Sequence, residues 1–225
     1  MELDLKKINL REVNEKLQNL DHKQNERDFS IINPEGNHAI CAGLTEEMNV
    51  TIKGHVGYYC AGMNQKAKIT IDGNVGTGVA ENMMSGRVHV KGNASQSAGA
   101  TAHGGLLIID GDASSRCGIS MKGVDIVVKG SVGHMSGFMS QSGNLVVCGN
   151  AGEALGDSIY EANIYVLGEV KSLGADCIEK KMTEKHKKLL TKLLSIAKIK
   201  NLSSKDFRRY GSARSLYNFK IDNTY

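Results

Sequence analysis

The side chains able to do chemistry are thinly spread along this chain. Asp110 and Asp112 flank one glycine, and Asp72 has the same local setting further upstream. Paired carboxylates of this kind could serve as acid and base on a glycosidic bond. Cys60 and Cys117 could act as nucleophiles, but no base stands beside either in a recognisable arrangement. The five cysteines (Cys41, Cys60, Cys117, Cys148, Cys177) show no C-x-x-C spacing, so no zinc or iron–sulfur ligand set is legible. An odd count in a chain of 225 residues reads as reduced thiols, not a disulfide framework. The histidines have no pair at ligand spacing, and His89 and His134 read as solvated or locally hydrogen-bonded side chains. The stretch GNVGTG lacks the Gly-Lys-Ser/Thr ending and the strand–loop–helix setting of a phosphate cradle.

What must position these groups is a repeat. The chain reads VTIKGHVGYYCAGM from 50 and ITIDGNVGTGVAEN from 69. Gly54, Gly73, Gly92, Gly111, Gly130, Gly149 and Gly168 are each nineteen residues apart. A fixed period of this size marks a solenoid. Four residues before each glycine stand Val50, Ile69, Val88, Leu107, Ile126, Leu145 and Ile164. Two before it stand Ile52, Ile71, Val90, Ile109, Val128, Val147 and Val166. The position between these columns is mixed, from Thr51 to Tyr165, so each segment alternates like a strand with one buried face. Two residues after the glycine, Val56, Val75, Ala94, Ala113, Val132, Ala151 and Val170 point inward again. Seven after it come Ala61, Ala80, Gly99, Gly118, Gly137, Gly156 and Ala175, where the backbone either turns tightly or meets a close neighbour. The glycine at the strand end suits a corner of unusual φ.

Nineteen residues with one strand and two or three corners form one coil of a parallel β-helix. The expected fold is all-β: a right-handed, single-stranded solenoid of about seven to eight coils, each about 4.8 Å above the last. The leucine-rich pattern is missing, and nineteen is not a multiple of the six of left-handed hexapeptide helices. Residues 33–178 read as the β-helix, 1–32 as a cap with a short helix, and 179–225 as an amphipathic helix and extended arm. Leu10, Val13, Leu17 and Leu20 share one helical face, with Asn9 and Glu12 at capping-box spacing. Leu189, Leu190, Leu193, Leu194 and Ala197 share another. Both helices are expected to close the open ends of the stack.

On this frame Asp72 and Asp110 fall two coils apart, about 10 Å, too far for a retaining pair. Cys60 and Cys117 fall three coils apart, about 14 Å, too far to bridge. Met63, Met83, Met84, Met121, Met135 and Met139 all lie in the second half of their coils, either filling the core or lining a docking face. Net charge is +4, but 179–209 carries eleven Lys and Arg against three acids, hence +8, leaving −4 elsewhere. That basic segment is a solvated face or a partner surface. No run reaches the ~20 apolar residues of a membrane span, and the start has no secretory core. The chain therefore reads as cytoplasmic.

GNASQSAGATAHGGLLIIDGDASSRCGISMKG and GSVGHMSGFMSQSGNLVVCGNAG resemble the C-terminal G-x-x-G-x-x-x-G domain of the glutamate synthase large subunit. The spacing is complete at Gly130, Gly133, Gly137 and at Gly149, Gly152, Gly156, and degraded where Ser95, Ser114 or Ala80 replaces glycine. The ARSLYNFKID tail is similar to stand-alone members, among them subunits of split glutamate synthases and of N-methylglutamate synthase. The resemblance implies a right-handed β-helix that is not itself catalytic. It implies a hetero-oligomer with a glutaminase-like and an FMN-dependent glutamate synthase-like subunit, with FMN and an iron–sulfur cluster on those partners and no cofactor or metal here. Arg116, Met135, Phe138, Met139, Arg208, Arg209 and Arg214 are the candidate interface residues. The C subunit of formylmethanofuran dehydrogenase carries a related coil domain and is the alternative; a stand-alone carbohydrate-active β-helix enzyme is an alternative of another class.

Overall fold

The computed structural model describes residues 1–20 and 26–214. In chain order the elements are β1 (Glu2–Asp4), α1 (Leu10–Gln18), β2 (Asp28–Ile32), β3 (Asn49–Lys53), β4 (Lys68–Ile71), β5 (Arg87–Val90), β6 (Leu106–Ile109), β7 (Lys122–Val128), β8 (Ser142–Val147), β9 (Asn163–Val166), β10 (Cys177–Lys180), α2 (Glu184–Ile196) and β11 (Arg208–Ser212). The strands form one sheet in the order β1 to β9, then β11, then β10. From β1 to β9 every pairing is parallel, and β11 runs antiparallel to both its neighbours. The molecule is a β-solenoid, with Val50 facing Ile69 and Ile69 facing Val88 in a register of nineteen. The ladder reaches back to β2 and β1, beyond the start at 33 that glycine spacing implies. No helix among the described residues is long and apolar enough to cross a membrane.

Each coil has three walls. The first is the strand, whose alternate residues (Val50, Ile52, Ile69, Ile71 and their equivalents) are at most 1% exposed. The second is a ladder of single parallel bridges running Val56, Val75, Ala94, Ala113, Val132, Ala151, Val170. The third has no strand geometry. Tyr59, Ala61 and Met63 take φ of 57°, 58° and 57°, and Met135, Gly137 and Met139 repeat this at 53°, 72° and 50°. Alternation sends successive N–H groups to opposite neighbours. Tyr59 donates to the Thr77 carbonyl at 2.8 Å, Ala61 to Ile40 at 2.9 Å on the preceding coil, and Met63 to Glu81 at 2.8 Å on the next. The wall is thereby hydrogen-bonded on both sides without strands.

The repeat glycine owes its place to close approach, which corrects the expectation of an unusual φ. Only Gly54 of that column is left-handed. At Gly73 a Cβ would lie 2.5 Å from the Gly54 carbonyl oxygen, and at Gly130 it would lie 2.8 Å from that of Gly111. The next residue in each coil explains the crowding. The Asn74 side chain accepts the Asn93 N–H at 2.8 Å, Asn93 accepts that of Asp112 at 2.8 Å, Asp112 that of Ser131 at 2.7 Å, and Asn150 that of Glu169 at 2.9 Å. These side-chain oxygens lie across the glycine of the coil above, where no Cβ fits.

The ends are closed differently from each other. Asn9 and Glu12 form the expected capping box at 2.9 and 3.1 Å, and Val13 and Leu17 enter the core. Asn14 and Gln18 donate to the carbonyls of Ala39 and Ala42, and Asn14 accepts the Cys41 N–H, so α1 covers the exposed backbone of the first coil. The other helix does not sit over the far end. Leu190, Leu193, Leu194 and Ala197 of the α2 segment pack with Ile108, Val127, Val146 and Tyr165 on the outer face of the sheet. Those four residues are the mixed column between the inward ones, apolar in this half of the rod. They need cover of their own, and α2 provides it. The far end is finished by β11 and β10.

Candidate functional site

Outward side chains on the sheet form a charge ladder one residue before the repeat glycine: Lys53, Asp72, Lys91, Asp110, Lys129. Lys91 meets Asp72 at 2.6 Å and Lys129 meets Asp110 at 2.7 Å. His89 Nε2 lies 2.9 Å from the same Asp110 oxygen. Partial burial works to raise the Asp110 pKa, but the hydrogen bonds from Lys129 and His89 outweigh it and hold the carboxyl below its ordinary value. Asp112 serves as a rung of the side-chain ladder. The carboxylates that could have formed an acid–base pair are thus each engaged with another group, in cross-strand positions that favour opposite charges. Among the described residues no group of three or more His, Cys, Asp or Glu is placed to hold a metal ion.

The thiols are packed away. Cys41, Cys60, Cys117 and Cys177 are buried and Cys148 is half-buried, all in the free form. Desolvation pushes Cys60 and Cys117 up to about 12, and Cys148 and Cys177 up to about 11. A thiol held this far above neutrality has almost no thiolate to attack with.

The seven interface candidates divide into two groups. Arg116, Met135, Phe138 and Met139 lie together on the left-handed wall of adjacent coils; the Arg116 N–H donates to the His134 carbonyl and that of Phe138 to Met135. Arg208, Arg209 and Arg214 lie in or beside β11, and their guanidinium groups are occupied. Arg208 donates to the Gly168 carbonyl, Arg209 to the Lys181 carbonyl and to Asn163 Oδ1, and Arg214 meets Asp176 at 3.0 Å. The tail from 215 onward, with the rest of the ARSLYNFKID stretch, lies outside the described residues.

The methionines divide as well. Met83 and Met121 are fully buried, whereas Met63 and Met84 are about half exposed at 54% and 49%. On the same coil as Met63, Tyr58 and Tyr59 are 52% and 51% exposed. Tyr58 stacks on His38, ring centroids 4.4 Å apart and nearly parallel, and Tyr59 meets Tyr58 edge-on at 6.4 Å. A held aromatic pair on a coil that also exposes methionine is the composition of a protein-binding patch. Sequence reasoning missed the tyrosines. The available signal was two adjacent aromatics at the start of the left-handed wall, where no other coil carries Tyr, Phe or Trp: the next two coils have Thr77–Gly78 and Gln96–Ser97.

No family model matches the chain. A 54-residue stretch, 24% of the chain, is 59% identical to "Protein GlxC" of Rhizobium meliloti (strain 1021). The match spans 24% of that protein's length.

Proposed function

We propose that the chain is a non-catalytic structural subunit of a glutamate-synthase-like complex, bracing a glutaminase-like subunit against an FMN-dependent synthase subunit. The complex would make glutamate or N-methylglutamate, with FMN and the iron–sulfur cluster on the other chains. The observation that carries the reading is the exposed Tyr58–Tyr59 pair, stacked on His38, on the coil that also exposes Met63. These are large apolar side chains held exposed by a backbone that is hydrogen-bonded to coils on both sides. Exposed tyrosine and methionine on a rigid wall are suited to docking, since little backbone freedom is left to lose on binding. The coil motif's resemblance to the glutamate synthase domain and the partial identity with Protein GlxC support the choice of complex.

The test is purification from native extract through a tag on this chain, followed by mass spectrometry. A glutaminase-like and a flavin-containing chain should co-purify, and the Tyr59→Glu/Met63→Glu double variant should lose at least one of them. Recovery of the wild-type chain by itself at low salt would overturn the reading.

A further inference from the structure

The sheet's outer face is covered by α2 over its second half and open over its first. His186, near the start of α2, has its ring 6.4 Å from that of Tyr165 on β9, while Lys198, just past its end, lines a cleft on β3, β4 and β5. The helix therefore runs back along the rod and delivers Lys198 to the point where cover stops.

That cleft, about 300 Å³, is lined by Asn49, Thr51, Lys68, Thr70, Arg87, His89 and Lys198 with two apolar neighbours, and contains no carboxylate. Lys68 and Arg87 are direct register partners on adjacent strands. Like charges in facing positions repel. The outward column four residues further along each strand alternates in sign and pairs Lys91 with Asp72 and Lys129 with Asp110. The column holding Lys68 and Arg87 does not alternate there, and among the described residues neither these two nor Lys198 has an ion-pair partner. Lys198 itself is left-handed, φ 60°, one residue past the helix cap. That position is the one glycine most often fills, so a lysine there is held at a backbone cost. Three cations with threonine hydroxyls between them, facing open solvent, make a site for carboxylates.

We propose that this cleft binds an extended acidic segment of a partner protein, with Lys68, Arg87 and Lys198 as the charge contacts. The cleft is open along the strands, and a small anion would remain largely solvated in it, which favours a chain carrying several carboxylates. That the partner is a subunit of a synthase-like complex rests on the preceding reading; the binding of an acidic segment does not.

The test uses the purified full chain and a fluorescein-labelled hexaglutamate peptide, read by anisotropy at low and physiological salt. The Lys68→Gln/Arg87→Gln variant should weaken binding at least tenfold, and Lys198→Ala about threefold. Lys188→Gln, an exposed lysine on α2 outside the cleft, should change it less than twofold. Equal loss in the Lys188 variant, or no loss in the cleft variants, would overturn the proposal. Competition by inorganic pyrophosphate at concentrations well below those of free glutamate peptide would also overturn it, since it would make the site one for small phosphoanions. Circular dichroism of each variant separates lost binding from lost folding, and none of these outcomes depends on co-purification of other subunits.

Discussion

A methyl group added at Gly130 would lie 2.1 Å from Asp112 Oδ1 and 2.8 Å from the Gly111 carbonyl oxygen. Neither atom is free to move: the first accepts the Ser131 N–H and the second belongs to the backbone below. At Gly118 the closest contacts are the ends of Ile126 and Met121 side chains, both at 3.4 Å, and the cost is that of a left-handed alanine, which Ala61 and Ala80 already bear. Gly118→Ala should therefore cost about 1 kcal/mol, and Gly130→Ala about 3 kcal/mol or more. Urea denaturation of the two variants checks this, and equal midpoints would refute the distinction. Both glycine columns were legible in the sequence as columns. Their causes were not, because spacing shows that a side chain is excluded and not what excludes it.

α2 shows what an element-scale reading can and cannot extract. Its apolar stripe was plain from Leu189 to Ala197, as was its charged face. The surface awaiting it was also written in the chain: the mixed column runs Thr51, Thr70, His89 and then Ile108, Val127, Val146, Tyr165. At ~1.5 Å per residue, the thirteen residues of α2 span about 20 Å. Four strand spacings of ~4.8 Å cover about the same length. Because this helix covers the side of the rod, loosening it should leave the coils intact. Leu193→Ala should cost about 2–4 kcal/mol in the stability of α2. In hydrogen exchange, protection should fall in α2 while amides of β3 to β5 keep theirs. Simultaneous loss of protection in both regions would show that helix and coils unfold as one unit.

At the scale of the whole molecule, the core is one continuous column of side chains from Val13 and Leu17 of α1 to Tyr210 of β11. Cys41, Cys60 and Cys117 stand inside it, each fully buried. With thiol pKa values at about 12 for Cys60 and Cys117, and Cys41 raised well above its ordinary value by the same desolvation, a thiol reagent at pH 8 finds these groups neutral as well as covered. Labelling with a chromogenic disulfide should be slow, beginning with the half-buried Cys148 under the α2 layer. The three core thiols should react together across the urea unfolding transition. Stepwise release of Cys41 before Cys117 below that transition would mean that coils open singly, as nearest-neighbour stacking permits.

The sequence by itself determined the coil: a period of nineteen, two inward columns on the strand, and a glycine at the end of each repeated strand. Those are local constraints repeated at a fixed interval, so pattern alone exposes them. The tertiary structure decided what the repeat could not encode. It laid α2 along the side because four outward apolar residues on separate coils become one surface only after stacking. It brought Lys198 to Lys68 and Arg87, more than a hundred residues away in the chain, because the helix returns along the rod.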